Sequence, residues 1–188
     1  MTDENEFWTL IEGARQHSPA GCLRADWLAA RLARRPVEEI LAFQLTLDEL
    51  RVPAGTPQLW EAASVIQGGR CSDDGFWYFQ AWLIGLGREA FRRAVTDPDS
   101  LADVPEVRRL AGRRPDTWSN AEWPEWEVLD YAAAEAYEQS TGGDGLEDAL
   151  AALGDDSPLW PEPEDGPPAA GPAALPRLTA LFPPRARE

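Results

Sequence analysis

Apolar residues recur along this chain at spacings of three and four, the period that places them on one face of an α-helix. Phe7, Ile11 and Ala14 fall on one such face, with Leu10 beside them. Ala20-Gly21 breaks this first helix, and a second runs from about Arg24 with Trp27, Leu28 and Leu32 inward. Pro36 suits the first residue of a third helix, where its missing N–H costs nothing. The inward face of that helix is Ile40, Phe43, Leu47 and Leu50, and Val52-Pro53-Ala54-Gly55 ends it.

The next two helices carry the strongest boundary signals. Thr56 is an N-cap and Pro57 a first-turn proline, followed by the apolar face Leu59, Trp60, Ala63 and Ile66. Gly68-Gly69 supplies the left-handed backbone that closes a helix. Ser72 caps the next one, with Asp73 and Asp74 in its first turn, where negative charge complements the helix dipole. Phe76, Phe79, Leu83 and Leu86 line one face, and Trp77, Tyr78 and Trp82 widen it, so this helix is expected at the centre of the domain. Gly87 bends or ends it, and residues 89–95 continue helical.

Asp97-Pro98-Asp99-Ser100 reads as a turn, and residues 104–118 are arginine-rich and broken by Pro105 and Pro115. A further helix is expected from about Pro124, with Trp126, Leu129, Ala133, Ala136 and Tyr137 inward, ending at Gly142-Gly143; residues 145–153 can form a short one. No strand pair is visible. The expected fold is all-α, a single helical domain of six to eight helices over residues 1–153. An acidic, Pro/Gly-rich linker over 154–174 follows, too polar to offset the entropy of ordering. Residues 175–188 are a short C-terminal segment whose Leu175, Leu178, Leu181 and Phe182 suit docking on the core.

Composition narrows the chemistry. All 17 basic residues are arginine, and the only histidine is His17. Without lysine there is no P-loop lysine, Schiff-base lysine or kinase-type lysine, and a catalytic triad must use His17 or do without histidine. The net charge of −16 is unevenly placed: residues 1–118 hold 14 arginines against 18 carboxylates, residues 119–188 hold 3 against 15. Such a balance repels phosphate backbones and disfavours direct nucleic-acid binding. It leaves a solvated tail or a mimic of nucleic acid. Cys22 and Cys71 are too few for a disulfide scaffold and do not form a zinc pattern, which points to two free, largely buried thiols in a reducing compartment. The acidic start Met1-Thr2-Asp3-Glu4 is unlike a secretory signal. No apolar run approaches the roughly 20 residues of a membrane span. A soluble cytoplasmic protein is expected, with no membrane contact and no cofactor.

The run Gly68-Gly69-Arg70-Cys71-Ser72-Asp73-Asp74-Gly75-Phe76-Trp77-Tyr78-Phe79, preceded by Trp60 and followed by Trp82-Leu83-Ile84 and Gly87-Arg88, resembles a bacterial family frequent in actinobacteria and known only as a domain of unknown function. Phe7-Trp8-Thr9-Leu10-Ile11, Glu38-Glu39-Ile40 with Phe43, residues 97–102 and Ala136-Tyr137-Glu138 are similar as well. The resemblance covers about residues 5–142. It departs at Arg70, since members usually read Gly-Gly-Cys-Ser. It implies a shared fold and no activity.

Cys71-Ser72-Asp73-Asp74 is the candidate site. One reading is structural: glycines end a helix, Ser72 caps the next, and the aspartates sit on its dipole. The other is functional: a thiol, two carboxylates and Arg70 converge beside Trp60, Trp77 and Tyr78, where a partner or a cationic ligand can bind. If a cation binds there, oxygen ligands favour Mg or Ca over zinc, though no metal site is expected. Asp97, Asp99 and Asp103 lack the glycine and spacing of a calcium loop and are expected to be a capped turn. Gly85-Leu86-Gly87-Arg88-Glu89-Ala90 follows a helix instead of a strand, which rules out a dinucleotide fingerprint. His17 is expected at the surface. Trp118 and Trp123 suit an interface, and Arg108, Arg109, Arg113 and Arg114 form a basic cluster, either solvated, paired with the acidic tail, or a phosphate site. The expected function is a non-enzymatic interaction or regulatory module whose partner is a protein or a small molecule. The alternatives are an enzyme or accessory protein of small-molecule or peptide modification using Asp73 and Asp74, and an acidic nucleic-acid mimic.

Overall fold

The computed structural model describes residues 4–18, 21–154 and 175–184. The expected flexible link over 154–174 therefore lies, except for Gly154, outside the described residues. The protein is all-α: among the described residues there are ten α-helices, three short 3-10 helices and no strand. No described helix is long and apolar enough to cross a membrane. The chain divides into two compact units, Met1–Val52 with Trp126–Glu162, and Pro53–Glu125 with Pro163–Glu188.

The first unit is built around α2 (Gly21–Leu32), which packs on α1 (Glu4–His17), on the 3-10 helix Glu127–Leu129 and on α8 (Ala132–Thr141). The short α9 (Leu146–Ala151) lies against α8. Phe7 of α1 and Phe43 of α3 (Val37–Ala54) are fully buried, with ring centroids 4.8 Å apart. Burying each such side chain contributes about 1.5–3 kcal/mol. Trp126 pins the start of α2: its indole N–H donates to the Gly21 carbonyl at 2.9 Å, and a Cβ on Gly21 would lie 3.0 Å from the Trp126 ring. Glycine is therefore the residue that lets α2 begin there, three residues before the expected start. Trp126 itself has a non-helical backbone (φ −140°, ψ 59°), so the helix expected from Pro124 is a 3-10 turn that precedes α8. Cys22, in the first turn of α2 ahead of the first buried residue Ala25, is exposed, and Cys71 is half-buried; neither is the buried thiol expected. Trp27, Leu50 and Tyr137 are half-exposed instead of inward.

One polar cluster is buried in this unit. The Arg51 guanidinium pairs with Asp130, both side chains about 5 % exposed. Gln44 donates to Asp48 at 3.0 Å on the same helix. Burial pulls the Arg51 guanidinium below its ordinary value, while Asp130 and Asp48 act to raise it.

The second unit contains α4 (Pro57–Ile66), α5 (Asp73–Gly85), α6 (Arg88–Thr96), α7 (Pro105–Leu110) and α10 (Pro176–Leu181). Its hub is the 3-10 helix Pro98–Asp103, which contacts α4, α6, α7 and α10. The segment expected to be a simple turn thus holds the unit together, and it does so with a buried run, Asp99-Ser100-Leu101-Ala102. α5, expected at the centre, packs on α4 and α6. Its buried face includes Phe76, Phe79, Leu83 and Ile84, while Trp77, Tyr78 and Trp82 are half-exposed.

Candidate functional site

The site grows out of the α4–α5 connection in the second unit. α4 ends in a Schellman arrangement: the Gly69 N–H donates to the Ser64 carbonyl at 2.7 Å and the Gly68 N–H to the Val65 carbonyl at 3.3 Å. Both glycines have positive φ, 87° and 102°, a region where side chains with a Cβ are strained. The chain then reaches Ser72 in an extended conformation (φ −75°, ψ 171°) and its hydroxyl accepts the Gly75 N–H at 3.1 Å. Ser72 is therefore the N-cap of α5, with Asp73 and Asp74 in the first turn.

Trp60 braces this turn from α4. Its indole N–H donates to the Cys71 carbonyl at 3.2 Å, and its ring stacks on Phe76 at 4.5 Å and 26°. The donor satisfies a carbonyl in a segment without helical partners, and the stack fixes the first turn of α5 against α4. The Cys71 thiol donates to the Ser72 carbonyl at 3.6 Å. Burial first, and then the charges of Glu125 and Asp73, push that thiol up to about 12. A thiol so placed stays protonated and is a poor nucleophile.

Of the candidate residues, the structure gathers Trp60, Cys71, Ser72 and Asp73 into one bonded or electrostatically coupled group. Arg70 and Asp74 are exposed, and Trp77 and Tyr78 are half-buried on α5. Asp73 and Trp77, and Asp74 and Tyr78, stand four residues apart, so each aspartate shares a helix ridge with one aromatic residue. Sequence reasoning missed Glu125 and Gln67. The Gln67 amide donates to Glu125 at 3.4 Å, and a Cβ on Gly75 would lie 3.7 Å from the same carboxylate oxygen. Nothing in local spacing marks Glu125, which arrives from 50 residues beyond Gly75; only its place beside Pro124 in a broken segment hints at a structured loop.

The other candidates fall away from an interface or anion site. Trp118 is buried, with 7 % exposure, and meets Trp123 edge-on at 5.1 Å and 68°, so it is core and not an exposed anchor. Arg113 pairs with Glu122 and Arg114 with Asp116, and Arg109 lies 3.6 Å from Glu106. Carboxylates of the same stretch pair with Arg109, Arg113 and Arg114, and Arg108 is exposed. The Arg113 guanidinium and the Ser119 backbone and hydroxyl hold the Glu122 carboxyl at about 2. His17 is exposed, 6.0 Å from the Trp27 ring. Among the described residues, no three His, Cys, Asp or Glu side chains stand where they could hold a metal ion.

The three aspartates of the 3-10 hub have separate tasks. Asp97 accepts the Asp99 N–H at 3.2 Å and so caps the 3-10 helix, as the sequence implies. Asp99, 6 % exposed, accepts the backbone N–H groups of Arg177 and Leu178 at 3.1 and 3.0 Å. Asp103 pairs with Arg177, and with Arg93 at 3.0 Å.

A family model described as "Protein of unknown function (DUF4240)" matches residues 1–139. The chain belongs to the DUF4240 family. No match was found among curated proteins or among solved structures. The DUF4240 region takes in the whole Trp60–Tyr78 site, Glu125 and the Asp97–Asp103 hub, while α9 and α10 lie beyond it. The partner of Asp99 is thus supplied by a segment outside the DUF4240 match.

Proposed function

We propose that this DUF4240 protein is a non-enzymatic interaction module, and that the surface at the start of α5 engages a partner polypeptide. The observation that carries this reading is how the turn divides its chemistry. Its two nucleophile-type residues are committed to structure: the Ser72 hydroxyl accepts the Gly75 N–H, and the Cys71 thiol is held protonated. Neither has the activated form that covalent catalysis requires. The carboxylate–aromatic ridges Asp73–Trp77 and Asp74–Tyr78 stay partly open to solvent, and Arg70 of the same turn is exposed. Aromatic rings flanked by charge suit the capture of a protein segment. The unpaired thiols Cys22 and Cys71 support action in the reducing cytoplasm.

The test is site-specific photocrosslinking from the exposed position 70 in the producing cell, followed by identification of the crosslinked polypeptide. A single dominant partner, lost when Asp73 and Tyr78 are replaced by Asn and Ala, is the expected result. If the purified protein instead turns over a small molecule and loses that activity on Asp73→Asn, the reading gives way to the enzyme alternative.

A further inference from the structure

The C-terminal helix is held in a way that resembles a bound peptide more than a built-in element. α10 has six residues, Pro176–Leu181, and a helix of this length has no stability of its own in water. It is ordered by what it touches: the 3-10 helix Pro98–Asp103 and α4. Three kinds of contact hold it. Leu178 is fully buried and Leu175 nearly so, the spacing of three that one helix turn presents to a groove. The Asp99 carboxylate takes the N–H groups of the second and third helical residues, Arg177 and Leu178, the bonds that an N-cap side chain normally makes within its own segment. Leu175, at the N-cap position, has no side-chain acceptor, so the receptor surface supplies the cap in its place. Arg177 then reaches Asp103, a contact exposed to solvent at both ends.

We propose that the surface formed by α4 and the 3-10 helix Pro98–Asp103 is a peptide-binding site that the chain's own residues 175–182 occupy in cis. A partner polypeptide carrying an apolar-Pro-Arg-Leu segment enters by displacing them. The pattern is set by the contacts: Pro at the first helical position, where no N–H is needed; Arg next, to meet Asp103; Leu next, to fill the buried position; and a preceding Leu at the mouth. Release is local, because the 3-10 helix Pro98–Asp103 keeps its contacts with α4, α6 and α7, and α5 keeps its contacts with α4 and α6. This site is separate from the Cys71–Tyr78 surface and does not depend on the function assigned to it.

The test uses the full chain and a fluorescent synthetic peptide of residues 175–184. The parent should take up the peptide weakly, because its own segment competes. The Leu178→Asp chain, whose segment no longer fits, should bind the peptide at least ten-fold tighter while keeping its helical circular dichroism. Adding Asp99→Ala to Leu178→Asp, which removes the acceptor of both amides, should remove most of that gain. Arg177→Ala, a change at an exposed contact, should raise uptake several-fold. A folded Leu178→Asp chain that ignores the peptide overturns the proposal. So does a Leu178→Asp chain that unfolds while Arg177→Ala leaves uptake unchanged, since the segment is then an integral part of the unit.

Discussion

Asp99 accepts the backbone N–H of Arg177 across 78 positions of sequence, and so caps a helix to which it does not belong. A buried carboxylate that takes two amides is costly to lose, because the amides are then left without an acceptor. Asp99→Ala is expected to destabilise the second unit by about 1–3 kcal/mol. Asp99→Asn, which keeps one acceptor oxygen, should cost less. Thermal melting gives the magnitude, and hydrogen exchange at Arg177 and Leu178 gives the place. Unchanged protection of those two amides in Asp99→Ala would show that the cap is dispensable.

Acid should loosen a neighbouring contact, the pair of Arg177 with Asp103. Hydrogen bonding from Arg177 first, with help from Arg93, holds the Asp103 carboxyl below its ordinary value of 3.8. A carboxylate lowered in the folded state stabilises above its unfolded pKa, and this contribution fades as pH falls through the lower folded value. The Arg177–Asp103 pair is therefore complete at neutral pH and is lost only below about pH 3.8. An NMR titration following the Asp103 side-chain carboxyl carbon should show its midpoint below that value, and Arg177→Ala should move that midpoint upward. A midpoint for Asp103 above 3.8 in the parent would contradict the pairing.

The glycine pair that ends α4 offers a sharper test of backbone strain. Gly68 lies at φ 87°, and a Cβ there would also lie 3.1 Å from the Pro115 ring. Gly69 lies at φ 102° with nothing within 4 Å. Gly69→Ala should therefore cost the left-handed penalty alone, about 1–2 kcal/mol, and Gly68→Ala should cost more. Equal melting temperatures for the two variants would mean that Pro115 yields freely.

How much of this was readable in the sequence depends on how local each cause is. Thr56-Pro57, Gly68-Gly69 and Ser72-Asp73-Asp74 act within four residues of themselves, so the ends of α4 and the start of α5 follow from the chain alone. Apolar periodicity likewise gives Phe7, Ile40, Phe43 and Leu47 as core, and all four are fully buried. The misses share the opposite property. α2 begins at Gly21 because Trp126, 105 residues away, supplies a donor and leaves no room for a Cβ. Asp99 is a hub because of Arg177 and Leu178, and Cys71 is tuned by Glu125. Periodicity also cannot tell a helix from a 3-10 turn over three residues, which is why the segment before α8 was read as its first turn.

Thiol chemistry should separate the two cysteines. With its pKa pushed up to about 12, Cys71 carries a thiolate fraction on the order of 10⁻⁴ at pH 8, whereas an ordinary thiol carries about a tenth. Iodoacetamide at pH 8 should modify the exposed Cys22 first and leave Cys71 largely untouched. Glu125→Gln removes one of the charges that raise the Cys71 value, so it should speed alkylation there and shift its pH profile down. Comparable rates at the two positions in the parent would show that Cys71 is not held protonated.

The last expected outcome divides cap from binding surface at the start of α5. Ser72→Ala removes the acceptor of the Gly75 N–H and should cost about 0.5–2 kcal/mol. Asp73 and Asp74 favour the helix dipole, each by roughly 0.3–1 kcal/mol when near the surface. Against this, two adjacent carboxylates repel one another, and Asp73 also works against ionisation of Cys71. If the aspartates serve the helix alone, the Asp73→Asn, Asp74→Asn double variant should melt slightly lower than the parent and keep the crosslink to its partner. If they are held for binding, neutralisation should relieve the repulsion and raise the melting temperature while the crosslink is lost. Stability rising as binding falls is the mark of a surface maintained for a partner. The proposed interaction module requires loss of the crosslink, and a double variant that melts lower yet crosslinks as well as the parent would reduce this turn to a helix cap.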